Sequence, residues 1–145
     1  MPDKISIQRR AGYSEVDRMG MVYYGRYLAW FEEARVEWLR RNGFVYRDLE
    51  DAGYLLPVTR VECDYCRPVE YDACVTIEAR PARCFSRKVV FAANVLAEGR
   101  LAAASSITLI CIGPDRRIRT LPSELREIIE KSVGELDRPR KKDIV

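Results

Sequence analysis

The apolar positions change period along the chain. Between residues 24 and 42 they recur at spacings of three and four: Tyr27, Leu28, Phe31, Ala34, Trp38 and Leu39. That spacing predicts one long amphipathic helix from about Tyr24 to Asn42. Glu37 precedes Arg41 by four residues, a favourable pair, and Gly43 supplies a left-handed stop. One or two further helical turns are expected over Tyr46 to Ala52, ended by Gly53. Elsewhere the period falls to two. Ile5-Ser6-Ile7 opens a first strand over residues 5–12, and residues 14–22 read as a loop. Val58, Val61, Cys63 and Tyr65 suggest a second strand, ended by Arg67-Pro68. Val75, Ile77 and Ala79 alternate with Thr76, Glu78 and Arg80 in a third. Lys88 to Ala97 and Leu101 to Ile112 complete the set, with Glu98-Gly99-Arg100 as a tight hairpin turn between them. A short closing helix runs from Pro122 to about Val133.

Strand, long helix, then four strands joined by short turns: successive hairpins imply an antiparallel sheet. A single long apolar helix must bury its face, and one face of that sheet is the only large partner. The expected architecture is α+β, a sheet of about five strands wrapped around one long central helix. It forms one domain over residues 1–134. Residues 135–145, with Arg138-Pro139-Arg140-Lys141-Lys142, read as a basic, disordered C-terminal tail.

Composition narrows the function. With 48% hydrophobic and 32% charged residues, the 145-residue chain can build a core and stay in water. No apolar run approaches the roughly 18 residues of a membrane span, and the N-terminus lacks the apolar stretch of a signal peptide. The expected location is the cytoplasm. A net charge of +3 is too small to imply nucleic acid. The five cysteines then read as reduced structural thiols. Cys63-Asp64-Tyr65-Cys66 lies in an extended segment with no turn and no second ligand pair, so no metal site is expected. The chain contains no histidine. Ser-His-Asp and Cys-His mechanisms are therefore excluded, and acid–base work falls to carboxylates, tyrosines, cysteines or lysines.

The candidate chemistry lies between Tyr13 and Arg35. Asp17 sits in the loop, Gly20 follows, and Val22-Tyr23-Tyr24-Gly25-Arg26-Tyr27 opens the helix. A helix start offers free backbone N–H groups and a partial positive charge. A carboxylate nearby can attack, or help water attack, a carbonyl whose oxygen those groups polarise. Read alone, Asp17 fits a helix N-cap or a turn acid better than a catalytic group; the motif around it reverses that.

The run Asp17-Arg18-Met19-Gly20-Met21-Val22-Tyr23-Tyr24-Gly25-Arg26-Tyr27, continued by Phe31-Glu32-Glu33-Ala34-Arg35 and Glu37-Trp38-Leu39-Arg40, resembles the 4-hydroxybenzoyl-CoA thioesterase-type family of acyl-CoA thioesterases. That family has the hotdog fold. The likeness covers about residues 5–133. Some branches carry His at the position of Tyr24, while the 4-hydroxybenzoyl-CoA branch carries Tyr as here. Hotdog dehydratases depend on a catalytic His, which this chain lacks. The resemblance implies hydrolysis of an acyl-CoA thioester to free acid and CoA without a cofactor. Asp17 would be nucleophile or general base, and the backbone N–H of Tyr24, with Gly25, would polarise the carbonyl. Met21, Tyr27, Glu32 and Thr59 are candidates for substrate contact. For Tyr27 the competing reading is core packing, and for Glu32 it is a structural ion pair. Arg87 and Lys88 are candidates for the CoA phosphates, with ordinary surface charge as the competing reading. The resemblance also implies a homo-oligomer, dimer or tetramer, with sites shared between chains. A non-catalytic module binding acyl-CoA or an acyl carrier protein is the alternative.

Overall fold

The computed structural model describes residues 3–140. Strand β1 (Ile5–Arg10) leads through a single 3-10 turn (Tyr13–Glu15) and a loop into α1 (Arg26–Arg41). A short α2 (Tyr46–Asp51) precedes β2 (Val58–Tyr65), β3 (Cys74–Cys84), β4 (Lys88–Ala97) and β5 (Arg100–Ile110), and α3 (Ser123–Ser132) follows. The five strands form one sheet in the order β1-β3-β4-β5-β2, with every pair antiparallel. This is the expected layout, and α1 packs against β1, β3 and β4.

The register explains the two faces of the sheet. Ile77, Val95 and Ala103 lie side by side, as do Ala79, Ala93 and Ser105. Successive strand residues alternate faces, so these point to α1 and the residues between them point away. On the helix side Trp30, Phe31, Ala34 and Trp38 are fully buried, and the Trp38 ring meets Phe91 edge-on at 5.5 Å. On the opposite face stand polar and small residues, among them Arg80, Asn94 and Ser106.

Several boundaries differ from those expected. α1 begins two residues later than Tyr24, because Tyr24 and Gly25 form a turn in which the Arg26 N–H donates to the Tyr23 carbonyl at 2.9 Å. Its buried stripe also shifts: Leu28 is exposed, while Trp30 and Arg35 are buried. Tyr27, Trp30, Phe31, Ala34 and Trp38 follow the i, i+3, i+4, i+7 pattern, and Leu28 and Leu39 share one flank of that stripe, where Leu39 is covered and Leu28 is not. The first strand stops at Arg10. The last stops at Ile110, and Ile112 instead bridges Leu55 and Ile118. The β4–β5 turn is as tight as expected. Glu98 (φ 50°) and Gly99 (φ 78°) both adopt left-handed backbone, the geometry that suits the twist of a two-residue hairpin.

After α3 the chain runs along the sheet face away from α1. The Gly134 N–H donates to the Pro81 carbonyl at 3.0 Å, and Arg80 Nη2 donates to the Ser132 carbonyl at 2.9 Å. Asn94 Nδ2 donates to the Asp137 carbonyl at 2.7 Å. Contact with the sheet therefore continues past residue 134, the boundary expected for a loose tail. Lys141 and Lys142 of the basic run, with residues 143–145, lie outside the described residues.

Candidate active site

Asp17 occupies the tip of a tight reversal. Its N–H donates to the Met21 carbonyl at 2.8 Å, and its own carbonyl accepts from the Gly20 N–H at 3.0 Å. Gly20 takes φ +79°, a conformation open to glycine at little cost. Asp17 Oδ1 accepts the Met19 N–H at 2.8 Å, which holds the half-buried carboxylate in place. A Val16–Val22 bridge closes the reversal, a Met21–Glu70 bridge ties it down, and the Val22 N–H donates to the Val69 carbonyl at 2.7 Å. Two residues later the chain enters the turn that starts α1.

That turn leaves donors available. Among the described residues, the backbone N–H groups of Tyr24 and Gly25 make no backbone hydrogen bond. Gly25 has ordinary helical dihedrals (φ −69°, ψ −21°), so conformational freedom is not its role. Space is: a Cβ there would lie 2.8 Å from Tyr23 Cε2. Glycine lets the Tyr23 ring fold over the helix start, 4.5 Å from the exposed Tyr24 ring.

Two residues that sequence reasoning passed over hold this region. Glu15 Oε1 accepts the Gly12 N–H at 2.9 Å, and Oε2 accepts Trp30 Nε1 at 2.8 Å. Arg9 Nη2 donates to both Glu15 oxygens at 3.2 Å, and its Nη1 donates to both Glu33 oxygens at 2.9 Å. The Glu15 carbonyl accepts the Tyr23 N–H at 2.9 Å. One residue thus joins β1, the Asp17 loop and α1. The Gly12-x-x-Glu15 spacing of a capping box was its visible signal. The second is Tyr65, whose hydroxyl donates to the Tyr24 carbonyl at 2.9 Å. Its alternation with Val61 and Cys63 gave the face but not the partner.

Of the expected site residues, Asp17, Met21, Tyr24, Gly25 and Tyr27 are gathered at this end of the sheet. Tyr27 is buried, with its ring 5.4 Å from Trp30 and 5.0 Å from Tyr65. Burial chiefly pushes its hydroxyl up to about 12, so it stays protonated at neutral pH. Burial likewise pushes the nearby Cys63 thiol up to about 11. Cys63 is therefore a thiol at neutral pH and a poor nucleophile. Glu32 lies exposed on α1 beside Ala29, Glu33 and Val36, and its charge faces the buried Arg35.

Thr59, Arg87 and Lys88 stand elsewhere. Thr59 Oγ1 reaches the Thr108 carbonyl at 3.5 Å, and Lys88 pairs with Ile110. Tyr65 pairs with Ala103. From Ala103 to Thr108 or Ile110 is roughly 17 to 23 Å along β5 at about 3.3 Å per residue. One chain does not bring these three residues to Asp17. Lys88 Nζ and the Arg83 guanidinium instead flank the Phe85 ring, 4.7 and 5.0 Å from its centre.

Among families of known proteins, the thioesterase-like superfamily matches residues 12–129. The chain belongs to that superfamily. Its fold is the hotdog fold of thioester hydrolases, as the Asp17 motif implied. YneP of Bacillus subtilis is 30% identical to this thioesterase over 101 residues, 69% of this chain and 73% of its own. YbgC of Escherichia coli, an acyl-CoA thioester hydrolase, is 26% identical over 118 residues, 80% of this chain and 88% of its own. A DHNA-CoA thioesterase of Staphylococcus aureus superposes with a TM-score of 0.79 at 32% identity, over 81% of this chain and 80% of its own. Among the described residues, no helix of the thioesterase is long and apolar enough to cross a membrane.

Proposed function

We propose that the protein hydrolyses acyl-CoA thioesters, with Asp17 as nucleophile or general base. The observation that carries this is the shared anchoring of the Asp17 loop and the α1 start, where two backbone N–H groups stand available. A thioester oxygen placed on the N–H groups of Tyr24 and Gly25 gains stabilisation as charge develops on it. One such donor is worth about 2.7–4 kcal/mol. In the covalent route the Asp17 carboxylate attacks the carbonyl carbon, the C–S bond breaks, and CoA leaves as thiolate. Water then cleaves the mixed anhydride. In the general-base route Asp17 takes a proton from the attacking water. The thiolate is a good leaving group, so neither route needs an imidazole.

A panel of acetyl-, octanoyl- and benzoyl-CoA with a thiol-trapping dye tests the reading. Turnover of at least one substrate, unchanged by chelator, is expected. Tight binding without turnover of any would instead support a non-catalytic acyl-CoA module. Activity lost with chelator and restored by zinc would overturn the metal-free mechanism.

The site is completed by a second copy of the chain. Among the described residues β2 has a strand neighbour on one side only, and Val58, Val61 and Tyr65 on it are exposed. An open strand edge is normally covered or paired. Two β2 strands paired about a two-fold axis run antiparallel. The Val58 end of one then lies beside the Tyr65 end of the other. That arrangement carries Thr59, Arg87 and Lys88 of one chain towards Asp17 and Tyr24 of its mate, where the basic pair can meet CoA phosphates. Light scattering is expected to give a dimer or tetramer, and a fully active monomer would contradict the shared site. Asp17→Asn chains mixed equally with Arg87→Ala/Lys88→Ala chains, at substrate well below KM, should recover up to about a quarter of wild-type activity. Half of the dimers are then mixed, and each carries one intact site.

A further inference from the structure

The two candidate carbonyl-polarising donors belong to consecutive peptides, and each peptide is held by its carbonyl. The Tyr23 carbonyl accepts the Arg26 N–H at 2.9 Å, which holds the peptide that carries the Tyr24 N–H. That bond is local, part of the first turn. The Tyr24 carbonyl accepts the Tyr65 hydroxyl, also at 2.9 Å, and this peptide carries the Gly25 N–H. The second bond spans 41 residues and comes from the open-edge strand β2.

We propose that Tyr65 is a positioning residue for the thioesterase reaction, holding the Tyr24–Gly25 peptide with its N–H turned to the thioester carbonyl. The inference rests on the reading of these N–H groups as the oxyanion donors. In a trans peptide the C=O and N–H point in opposite directions. Fixing the oxygen therefore fixes the hydrogen. Gly25 makes such fixing necessary. With glycine on one side the peptide can rotate more easily than its neighbours, and rotation would present a carbonyl oxygen where a donor is needed. The hydroxyl also polarises the peptide it binds, so the Gly25 N–H becomes a stronger donor through the chain O–H···O=C–N–H.

The surroundings of Tyr65 suit this role. Its ring meets Tyr27 edge-on at 5.0 Å and Tyr24 at 6.5 Å, which fixes the direction of the hydroxyl. Partial desolvation first, then the neighbouring Cys63, raises the pKa of the part-exposed Tyr65 above that of an ordinary tyrosine. The group therefore remains a donor wherever the enzyme works. In this role it acts through the Tyr24–Gly25 peptide and exchanges no proton with the substrate.

Tyr65→Phe keeps the ring and its packing and deletes only the donor. Measured on the faster of octanoyl-CoA and benzoyl-CoA, kcat should fall about tenfold with KM within about twofold. Oligomeric state should be unchanged, and the thermal midpoint should fall by only a few degrees, the worth of one hydrogen bond of about 0.5–1.5 kcal/mol. A structural role alone would not move the second readout, the infrared C=O stretch of that substrate, 13C-labelled at the thioester and bound to Asp17→Asn protein. Binding should shift the stretch from its value in water, and adding Tyr65→Phe should return part of the shift. Unchanged kcat and an unchanged stretch, with Asp17→Asn inactive, overturn the role of Tyr65 and leave the catalytic reading standing. A loss confined to KM also overturns it. An active Asp17→Asn protein, or no turnover by wild type, overturns the catalytic reading and the Tyr65 role with it.

Discussion

Asp17→Asn is expected to lower kcat by about 10²–10⁴-fold, the usual worth of a positioned acid–base group. The fold should survive. The Met19 N–H binds Asp17 Oδ1 at 2.8 Å, and the amide oxygen of Asn can accept the same bond. The backbone bonds of the loop, Asp17 to Met21 and Gly20 to Asp17, do not involve the side chain. Asn fits the same turn but can neither attack the thioester nor take a proton from water. Thermal unfolding should therefore change little while steady-state turnover collapses. A variant with near wild-type kcat would move the chemistry away from Asp17.

The largest effect on stability is expected at Trp30. Its side chain is fully buried, packs on Tyr27 at 5.4 Å and carries the Arg9 guanidinium 5.3 Å from the ring centre. Trp30→Ala removes that packing and should cost about 3–5 kcal/mol, read from the shift of a denaturant midpoint at unchanged slope. Trp30→Phe separates packing from polarity. It restores most of the apolar volume but leaves Glu15 without the 2.8 Å indole donor, a bond to a charged group worth about 1.5–3 kcal/mol. Glu15 also holds the approach to Asp17 through Gly12 and Tyr23. The Phe variant should consequently lose kcat as well as stability, since the loop that positions the carboxylate is less firmly held. Full activity with reduced stability would confine the network to folding.

The sequence by itself determined the elements that depend on near neighbours. The three-and-four spacing of Tyr27, Phe31, Ala34 and Trp38 defines α1. The alternation around Ile77 defines β3, and Glu98-Gly99 defines the β4–β5 hairpin, because each signal spans only a few residues. The Asp17-to-Tyr27 run was legible for a related reason: its acid, glycine and aromatics fall within eleven positions. Tertiary structure decided what distant segments do to one another. Leu28 fits the helical period yet is exposed, whereas Arg35 is buried although its type favours the surface. The strand order sets β2 at the open edge and sends Thr59, Arg87 and Lys88 to the end of the sheet away from Asp17. The hydroxyl of Tyr65 finds the Tyr24 carbonyl across 41 residues. Periodicity names the face on which a side chain sits, but its partner across the fold is set only when the sheet closes around the helix.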